Sequence, residues 1–316
     1  MKNSELDDAF FKLLASRGHD KQIRKGRNVR DGYARGWGLQ FGDLRKIIFR
    51  DPLYQEGARL ITGRSIVAED KRMNIFLILK YFFCSIPYGD IVEFGAYRGG
   101  NALFMAYIAS KLYPGVRVYA LDTFTGMPET DLHIDAHNEG DFRDVDLNEL
   151  RGFSEAHKLN NVEFIQGLFK RTASTLLQKI QHVALAHIDC DIYSAVSFSY
   201  EVVKPYMVPG GYFVFDDADV SSSLGATEAV EELVIRRDGL NSEQIFPHFV
   251  FRSGLVSFVV QIQRLLEEGK LGEAKNSLAE RILLARSLGQ KKETEKLKKM
   301  LIRLAGAKKR LKSNNL

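Results

Sequence analysis

Two strings near the middle of the chain concentrate carboxylates. ALAHIDCDIY carries Asp189 and Asp191, and GGYFVFDDAD carries Asp216 and Asp217. Each pair follows a run of Val, Ile, Phe or Ala that reads as a β-strand. The four acids therefore fall at the carboxyl ends of adjacent strands, where open α/β sheets bind ligands. Carboxylates gathered there repel one another unless a proton or a cation intervenes. A hard divalent ion with oxygen ligands relieves the repulsion, and Mg²⁺ suits a site of few carboxylates and several waters. Period-two alternation along the first string puts Asp189 and Asp191 on one face, one available as metal ligand and the other as base. The plainer alternative for any single member is a loop cap. His187 shares that face and reads as a packed, hydrogen-bonded core residue, while Cys190 points the other way and packs.

A second constellation lies upstream. DIVEFG ends a strand and AYRGGN opens a helix. Glycines at Gly95 and Gly99 let the backbone turn sharply and approach a ligand, and the helix N-terminus offers free N–H groups to a carboxylate or phosphate. A structural strand-to-helix turn would look the same, and nicotinamide-binding proteins use a similar loop. About 27 residues beyond Gly95 another strand ends in LDTF, where Asp122 is placed to accept hydrogen bonds from ribose hydroxyls or to cap the next loop. A third strand ends in Gln166-Gly167-Leu168-Phe169, where an adenine would lie. Gly167 permits close approach there, and Phe169 supplies an apolar wall or simply packs.

The elements that must position these groups follow from apolar spacing. DIVEFG, VRVYALDTF, VEFIQG, VALAHIDCD and GGYFVFDDA read as strands. Helical patterns over Asn101–Leu112, Leu147–Lys158, Thr172–Gln181 and Ser194–Tyr206 separate them. Such alternation builds right-handed βαβ units around a mostly parallel sheet. QIFPHFVF and LVSFVVQI, flanking Arg252-Ser253-Gly254, read as an antiparallel hairpin at one sheet edge. Before the sheet, Asp7–Ser16 and Gly57–Cys84 have helical spacing around a Gly- and Arg-rich loop, RKGRNVRDGYARGWGLQFGD. After it, LLEEGKLGEAKNSLAERILLARSLG and KKETEKLKKMLIRLAGAKKR read as two amphipathic helices joined near Gly289. The expected division is thus 1–89, 90–263 and 264–316. One helical pair cannot bury its apolar face alone, so the tail is expected to pack on the core or on a second copy of the chain.

The 316 residues are 45% hydrophobic and 27% charged, as in a globular protein able to build a core without disulfides. Cys84 and Cys190 form no CxxC pair, and the start of the chain shows no cleavable signal pattern, so a cytoplasmic setting is expected. The apolar run Met73–Pro87 contains Lys80 and is too short to span a bilayer. The net charge of +5 is uneven. From Arg264 onward about 15 Lys/Arg face 6 Asp/Glu, roughly +9, which leaves the rest near −4. The body therefore lacks the basic surplus of a nucleic-acid-binding domain, and no nucleic-acid partner is expected.

The strings DIVEFGAYRGGNA, LDTFTGMP, VEFIQGLF, HIDCDIYSA, VVKPYMVPGGYFVFDDAD and GATEAVEEL run in order over roughly Arg72–Leu233. In them the chain resembles the macrocin O-methyltransferase (TylF-type) family, whose members methylate sugar hydroxyls of macrolide-like natural products. EFGAYRGGNA also looks like the corresponding loop of catechol O-methyltransferases. The resemblance implies a Rossmann-like class I methyltransferase fold, α/β, that uses S-adenosylmethionine and a divalent cation such as Mg²⁺. It implies that Glu93, Gly95, Gly99 and Asn101, with Ala96 and Tyr97 between them, hold the methionine part of the cofactor. Asp122 and Thr123 would take the ribose, and Gln166, Gly167 and Phe169 the adenine. Asp189, Asp216 and Asp217 match the metal ligands, Asp189 also lying beside the cofactor, and Asp191 matches the general base. Met127–Asn148 corresponds to a lid whose His133 or His137 reaches the site, His137 being the better match. Residues 1–89 would help select the acceptor. Ala218 and Asp219 stand where the family often has an aromatic residue, and the basic tail lies outside the family pattern.

The expected function is O-methylation of a small-molecule or glycan hydroxyl by a homo-oligomeric enzyme. A nicotinamide-dependent oxidoreductase would share the glycine loop and Asp122, but hydride transfer does not call for the acidic cluster. A metal-dependent hydroxylase would need a redox iron, which few histidines near that cluster disfavours. An interaction protein built on an inactive core, with the tail recruiting an acidic partner, would have no use for either constellation.

Overall fold

The five apolar runs form β1 (Asp90–Phe94), β2 (Val118–Asp122), β3 (Val162–Gln166), β4 (Val183–Ile188) and β5 (Met207–Phe215). With β6 (Ser242–Gln244) and β7 (Phe249–Arg252) they make one seven-stranded sheet of order β3-β2-β1-β4-β5-β7-β6. The first five strands are parallel, and β7 pairs antiparallel with both β5 and β6. The computed structural model describes residues 23–24, 27–28, 38–40, 43–86, 88–253, 262, 265–266, 270–287, 294–295 and 297–302. The helix expected at Asp7–Ser16 and nearly all of LVSFVVQI lie outside them.

The helices are α1 (Leu44–Phe49), α2 (Pro52–Leu60), α3 (Glu69–Leu77), α4 (Gly100–Leu112), α5 (Leu147–Ala156), α6 (Phe169–Ile180), α7 (Tyr193–Val203), α8 (Leu224–Ala229) and α9 (Leu271–Ser287). Wider π turns prolong α3 through Phe82 and α8 through Arg237. Gly57–Cys84 is not one helix. It breaks over Ile61–Ala68, where Gly63 takes a φ of +76°, and Pro52 behind the capping side chain of Asp51 starts α2 earlier. The Gly- and Arg-rich stretch contributes a two-residue antiparallel ladder, Ile23–Arg24 with Arg27–Asn28, and a helical turn at Gly38–Gln40.

Alternation sorts the sheet's side chains onto two faces. Ile91, Val118, Ala120, Leu185, Tyr212, Val214 and Val250 share one apolar cluster with residues of α2, α3 and α4. Val92, Phe94, Tyr119, Leu121, Ala186, Ile188, Phe213, Phe215 and Phe251 share the other with residues of α6, α7 and α8. The alternation slips in β4. Against β1, Asp90 pairs with Val183 and Ile91 with Leu185, so Ala184 is one residue too many and β4 bulges. Ala184 and Leu185 accordingly fall in the same cluster.

The antiparallel edge is not the hairpin expected around Arg252-Ser253-Gly254. Its connection falls inside QIFPHFVF, between Gln244 and Phe249. Pro247 has no N–H to give a ladder, which splits that run into two strands' worth of chain.

The chain divides into two compact units, Met1–Ser253 and Gly254–Leu316. The second holds α9 and helical residues at 294–295 and 297–302, with its own apolar cluster of Ile262, Ala274, Leu278, Ile282 and Leu297. Among the described residues no helix is long and apolar enough to cross a membrane.

Candidate active site

The strand registers bring Phe94, Leu121, Ile188 and Phe215 level at the carboxyl edge, so the residues that follow them open into one cavity of about 370 Å³. Glu93, Gly95, Ala96, Tyr97, Asn101, Asp122, Thr123, Phe169, Asp189, Asp191, Asp216 and Asp217 all line it. Gly99, Gln166 and Gly167 do not. Gly99 turns with φ +69° beneath α4, where a Cβ would strike Leu150 and Phe164. Gln166 is exposed and donates to Thr123 O at 3.3 Å, and the Gly167 N–H donates to Asp122 O at 2.8 Å. These three shape the wall from behind it.

The glycine loop is tight for a steric reason. Gly95 has φ +89°, and a Cβ there would lie 1.7 Å from the backbone oxygen of Asp189. A Cβ on Gly100 would lie 2.5 Å from Arg64 O, so the 61–68 turn presses against the start of α4. Asp122 does cap the loops: it accepts from the N–H groups of Tyr97 at 2.8 Å and Phe124 at 2.7 Å. A carboxylate has about four lone-pair sites, so acceptor capacity towards a ribose remains.

A polar ladder crosses the sheet on the α3 side. Glu93 pairs in register with His187 and His187 with Val214, and the same face continues to Asp216 and His248. The Asn101 amide donates to Glu93 Oε1 at 2.8 Å, and His187 Nδ1 lies 3.1 Å from that oxygen. His187 Nε2 is 3.5 Å from Asp216 Oδ1, His248 Nε2 is 2.8 Å from the same atom, and the Asn74 amide reaches His248 Nδ1 at 2.9 Å. Burial alone would lower the His187 pKa, but the Asp216 and Glu93 carboxylates raise it to about 9. Burial lowers His248. Both its nitrogens are spent on Asn74 and Asp216, which leaves it no lone pair for a metal. Two histidines thus lie closer to the acids than expected, in a role unlike that of iron ligands.

Four members of the ladder are incomplete. Asn74 Oδ1, Glu93 Oε2, Asn101 Oδ1 and His187 Nε2 are buried without hydrogen-bond partners, and of these residues Glu93 and Asn101 line the cavity. An unsatisfied buried acceptor costs about 1–3 kcal/mol, more when charged. Acceptor-only atoms at the glycine loop fit the ammonium of an amino-acid-like ligand and repel a pyrophosphate.

Beyond the ladder, ligand atoms of Asp189, Asp216 and Asp217 lie within 4.8 Å of one another. Burial, then the Asp216 and Asp217 carboxylates, pushes Asp189 well above the usual carboxylate range. Burial, with Asp191 and Asp216 next, pushes Asp217 up to about 8. Asp216 goes the other way. Burial would raise it, but the imidazoles of His187 and His248 and the Lys71 ammonium hold it well below the ordinary range. Crowded hard oxygens whose ionisation is held back by burial and by one another fit a divalent cation.

Asp191 reaches the cluster by a route that alternation does not describe. β4 ends at Ile188, and Asp191 sits in the following turn with φ +56°. Its N–H donates to Asp217 Oδ2 at 3.3 Å, and its Oδ1 lies 3.4 Å from the Ser223 hydroxyl and from His137 Nε2. His137 Nδ1 lies 3.5 Å from Asp141. Asp191 foremost, with Asp141, raises its pKa to about 9, so the ring is an imidazolium near neutral pH. His133 is exposed.

The segment 127–148 is held by a latch absent from the sequence reading. Asp135, 5% exposed, accepts from the Tyr193 N–H at the start of α7 at 2.8 Å. Gly225 leaves room for that carboxylate. Lys71, Asn74 and His248 also escaped the sequence reading. Lys71 and Asn74 stand three apart in a helix, and His248 sits in a β-rich run; only the tertiary fold joins them.

The chain is similar to several known proteins. The family model described as Macrocin-O-methyltransferase (TylF) matches residues 72–238. The chain is 31% identical over 139 residues to the 8-demethyl-8-(2,3-dimethoxy-alpha-L-rhamnosyl)-tetracenomycin-C 4'-O-methyltransferase of Streptomyces olivaceus, covering 41% of this chain and 52% of that protein. It is 28% identical over 156 residues to the mycinamicin III 3''-O-methyltransferase of Micromonospora griseorubida, covering 46% and 59% respectively. The chain thus spans about half the length of these curated relatives. Among solved structures, the calicheamicin methyltransferase CalS11 superposes with a TM-score of 0.52 at 20% identity, over 68% of this chain and 91% of that one. That likeness shows a shared fold.

Proposed function

The chain belongs to the macrocin O-methyltransferase family, and from that premise we propose that it moves a methyl group from S-adenosylmethionine to a hydroxyl of a sugar-bearing small molecule or glycan with the help of a divalent cation. The observation that carries the proposal is the meeting, in one cavity, of the unsatisfied Glu93 and Asn101 acceptors with the Asp189, Asp191, Asp216 and Asp217 carboxylates. A nicotinamide cofactor would bring its pyrophosphate to the buried Glu93 carboxylate, whose Oε2 has no hydrogen-bond partner among the described residues.

In this reading Glu93 Oε2 and Asn101 Oδ1 take the ammonium of the cofactor, Asp122 its ribose hydroxyls, and Phe169 one side of its adenine. The sulfonium supplies the methyl group, and a cation on Asp189, Asp216 and Asp217 would act as a Lewis acid towards the acceptor hydroxyl. Asp191 accepts the hydroxyl proton. A positioned base of this kind contributes roughly 10²–10⁴-fold. His137, as imidazolium, orients Asp191 and draws the lid over the reacting atoms instead of acting as base. Alignment of donor and acceptor supplies more, on the order of 7–11 kcal/mol in favourable cases.

Calorimetry of the purified chain with S-adenosylmethionine and, separately, with NAD tests the cofactor assignment. Binding of the first alone is expected, and binding of NAD alone would overturn it. Transfer of isotope-labelled methyl to a panel of rhamnosylated acceptors tests the rest, with Asp191→Asn expected to keep cofactor binding and lose turnover.

A further inference from the structure

Lys71 enters the acidic cluster from the first turn of α3, not from the sheet. Its side chain is 11% exposed, and its ammonium donates to Asp216 Oδ2 at 2.6 Å and to Asp216 O at 2.5 Å. Asp217 and Asp189 are its next charged neighbours. An ammonium so placed does for the cluster what a hard cation does: it sets positive charge where carboxylates converge. It also guards a ligand atom. His248 on Oδ1 and Lys71 on Oδ2 leave Asp216 lone pairs to spare, but an ammonium 2.6 Å from Oδ2 repels a second cation at that oxygen.

On the metal-assisted reading above, we infer that Lys71 is a tethered counter-cation that neutralises this site until a divalent ion is loaded, and that loading requires its ammonium to leave Asp216 Oδ2. The side chain alone has to move. The backbone N–H of Lys71 is held by Asp70 Oδ1 at 2.9 Å, and its long stem already lines the cavity. Asp219, which has both Lys71 and Asp70 among its charged neighbours, offers the released ammonium a second partner. The protein therefore never meets the full repulsion of its own acids, and its affinity for the ion is set by the exchange of one cation for another.

The test uses the full-length chain, stripped with EDTA. Mn²⁺ alone is titrated in while free Mn²⁺ is followed by its paramagnetic resonance, and thermal unfolding is recorded with and without EDTA. Lys71→Met is expected to bind Mn²⁺ at least about tenfold more tightly than the wild type, a difference of about 1.4 kcal/mol. It should melt below the wild type only when chelator is present. Lys71→Arg keeps the charge and should stay near the wild type, and Lys71→Gln serves the comparison if Lys71→Met does not fold. Equal Mn²⁺ affinity in wild type and Lys71→Met, with binding abolished by Asp217→Asn, overturns the counter-cation role and leaves the metal site standing. Absence of Mn²⁺ binding in every variant overturns the metal-assisted reading and the inference with it.

Discussion

Replacing Gly225 by alanine tests the latch on segment 127–148 with a single carbon. A Cβ built there lies 2.0 Å from Asp135 Oδ1 and 2.8 Å from the Tyr193 nitrogen. The Asp135 carboxylate must retreat by about an ångström or more to reach ordinary van der Waals separation, which begins near 3.5 Å for carbon. A retreat of that size breaks its 2.8 Å hydrogen bond from the Tyr193 N–H. Bonds to charged acceptors contribute about 1.5–3 kcal/mol, so forms with the 127–148 segment detached from Tyr193 should become roughly ten to a hundred times more populated. Helix propensity works in the opposite direction, since alanine in α8 is favoured over glycine by about 1 kcal/mol, so any loosening belongs to the latch. Hydrogen exchange of the peptide covering 127–148 and of the Tyr193 amide measures the change. Asp135→Ala should loosen the same peptide. The double variant should add little, because both changes remove one interaction. Wild-type exchange in Gly225→Ala, or full additivity in the double variant, would refute the latch.

Three further outcomes are expected. Glu93→Gln should weaken S-adenosylmethionine binding by roughly tenfold to a hundredfold in calorimetry, the value of one charge-assisted bond, and unchanged affinity would remove Glu93 from the cofactor pocket. Gly95→Ala, which forces a Cβ into the Asp189 carbonyl at φ +89°, should lower stability by about 3 kcal/mol or more in denaturant unfolding; a loss under about 1 kcal/mol would show that the loop has slack. His137 has its pKa raised to about 9 from 6.5, so its pairing stabilises the folded chain fully below about pH 6.5 and ceases to do so as pH rises through about 9. The gap in melting temperature between wild type and His137→Gln should therefore be widest in mild acid and close above that range. A gap that widens with pH would invert the assignment.

Strand identity and strand ends were legible because Val-, Ile- and Phe-rich runs of five or six residues, closed by Gly or Asp, leave little choice of structure. From those ends the cavity wall followed, since registers of a parallel sheet bring neighbouring tips level. What failed was local. Asp191 lines the cavity, but a left-handed turn and not pleat alternation carries it there. Apolar spacing across Gly57–Cys84 concealed a break that Gly63 permits, and Pro247 moved the edge turn upstream of its expected position. The polar ladder was invisible for a different reason. Lys71, Glu93, His187 and His248 are each unremarkable in their own segments, and they become a network only after four strands and a helix have docked.

The extra residue at Ala184 has a bearing on how this protein can diverge. Removing it would leave Val183 opposite Asp90 and Leu185 opposite Ile91 in a regular pleat, so His187 would keep its place beside Glu93 on the α3 side. A length change at the buried base of the strand can thus be absorbed there without rewriting the residues at its tip. A descendant that loses this residue gives up one small apolar contact on that face and keeps the link between the glycine loop and the acidic cluster.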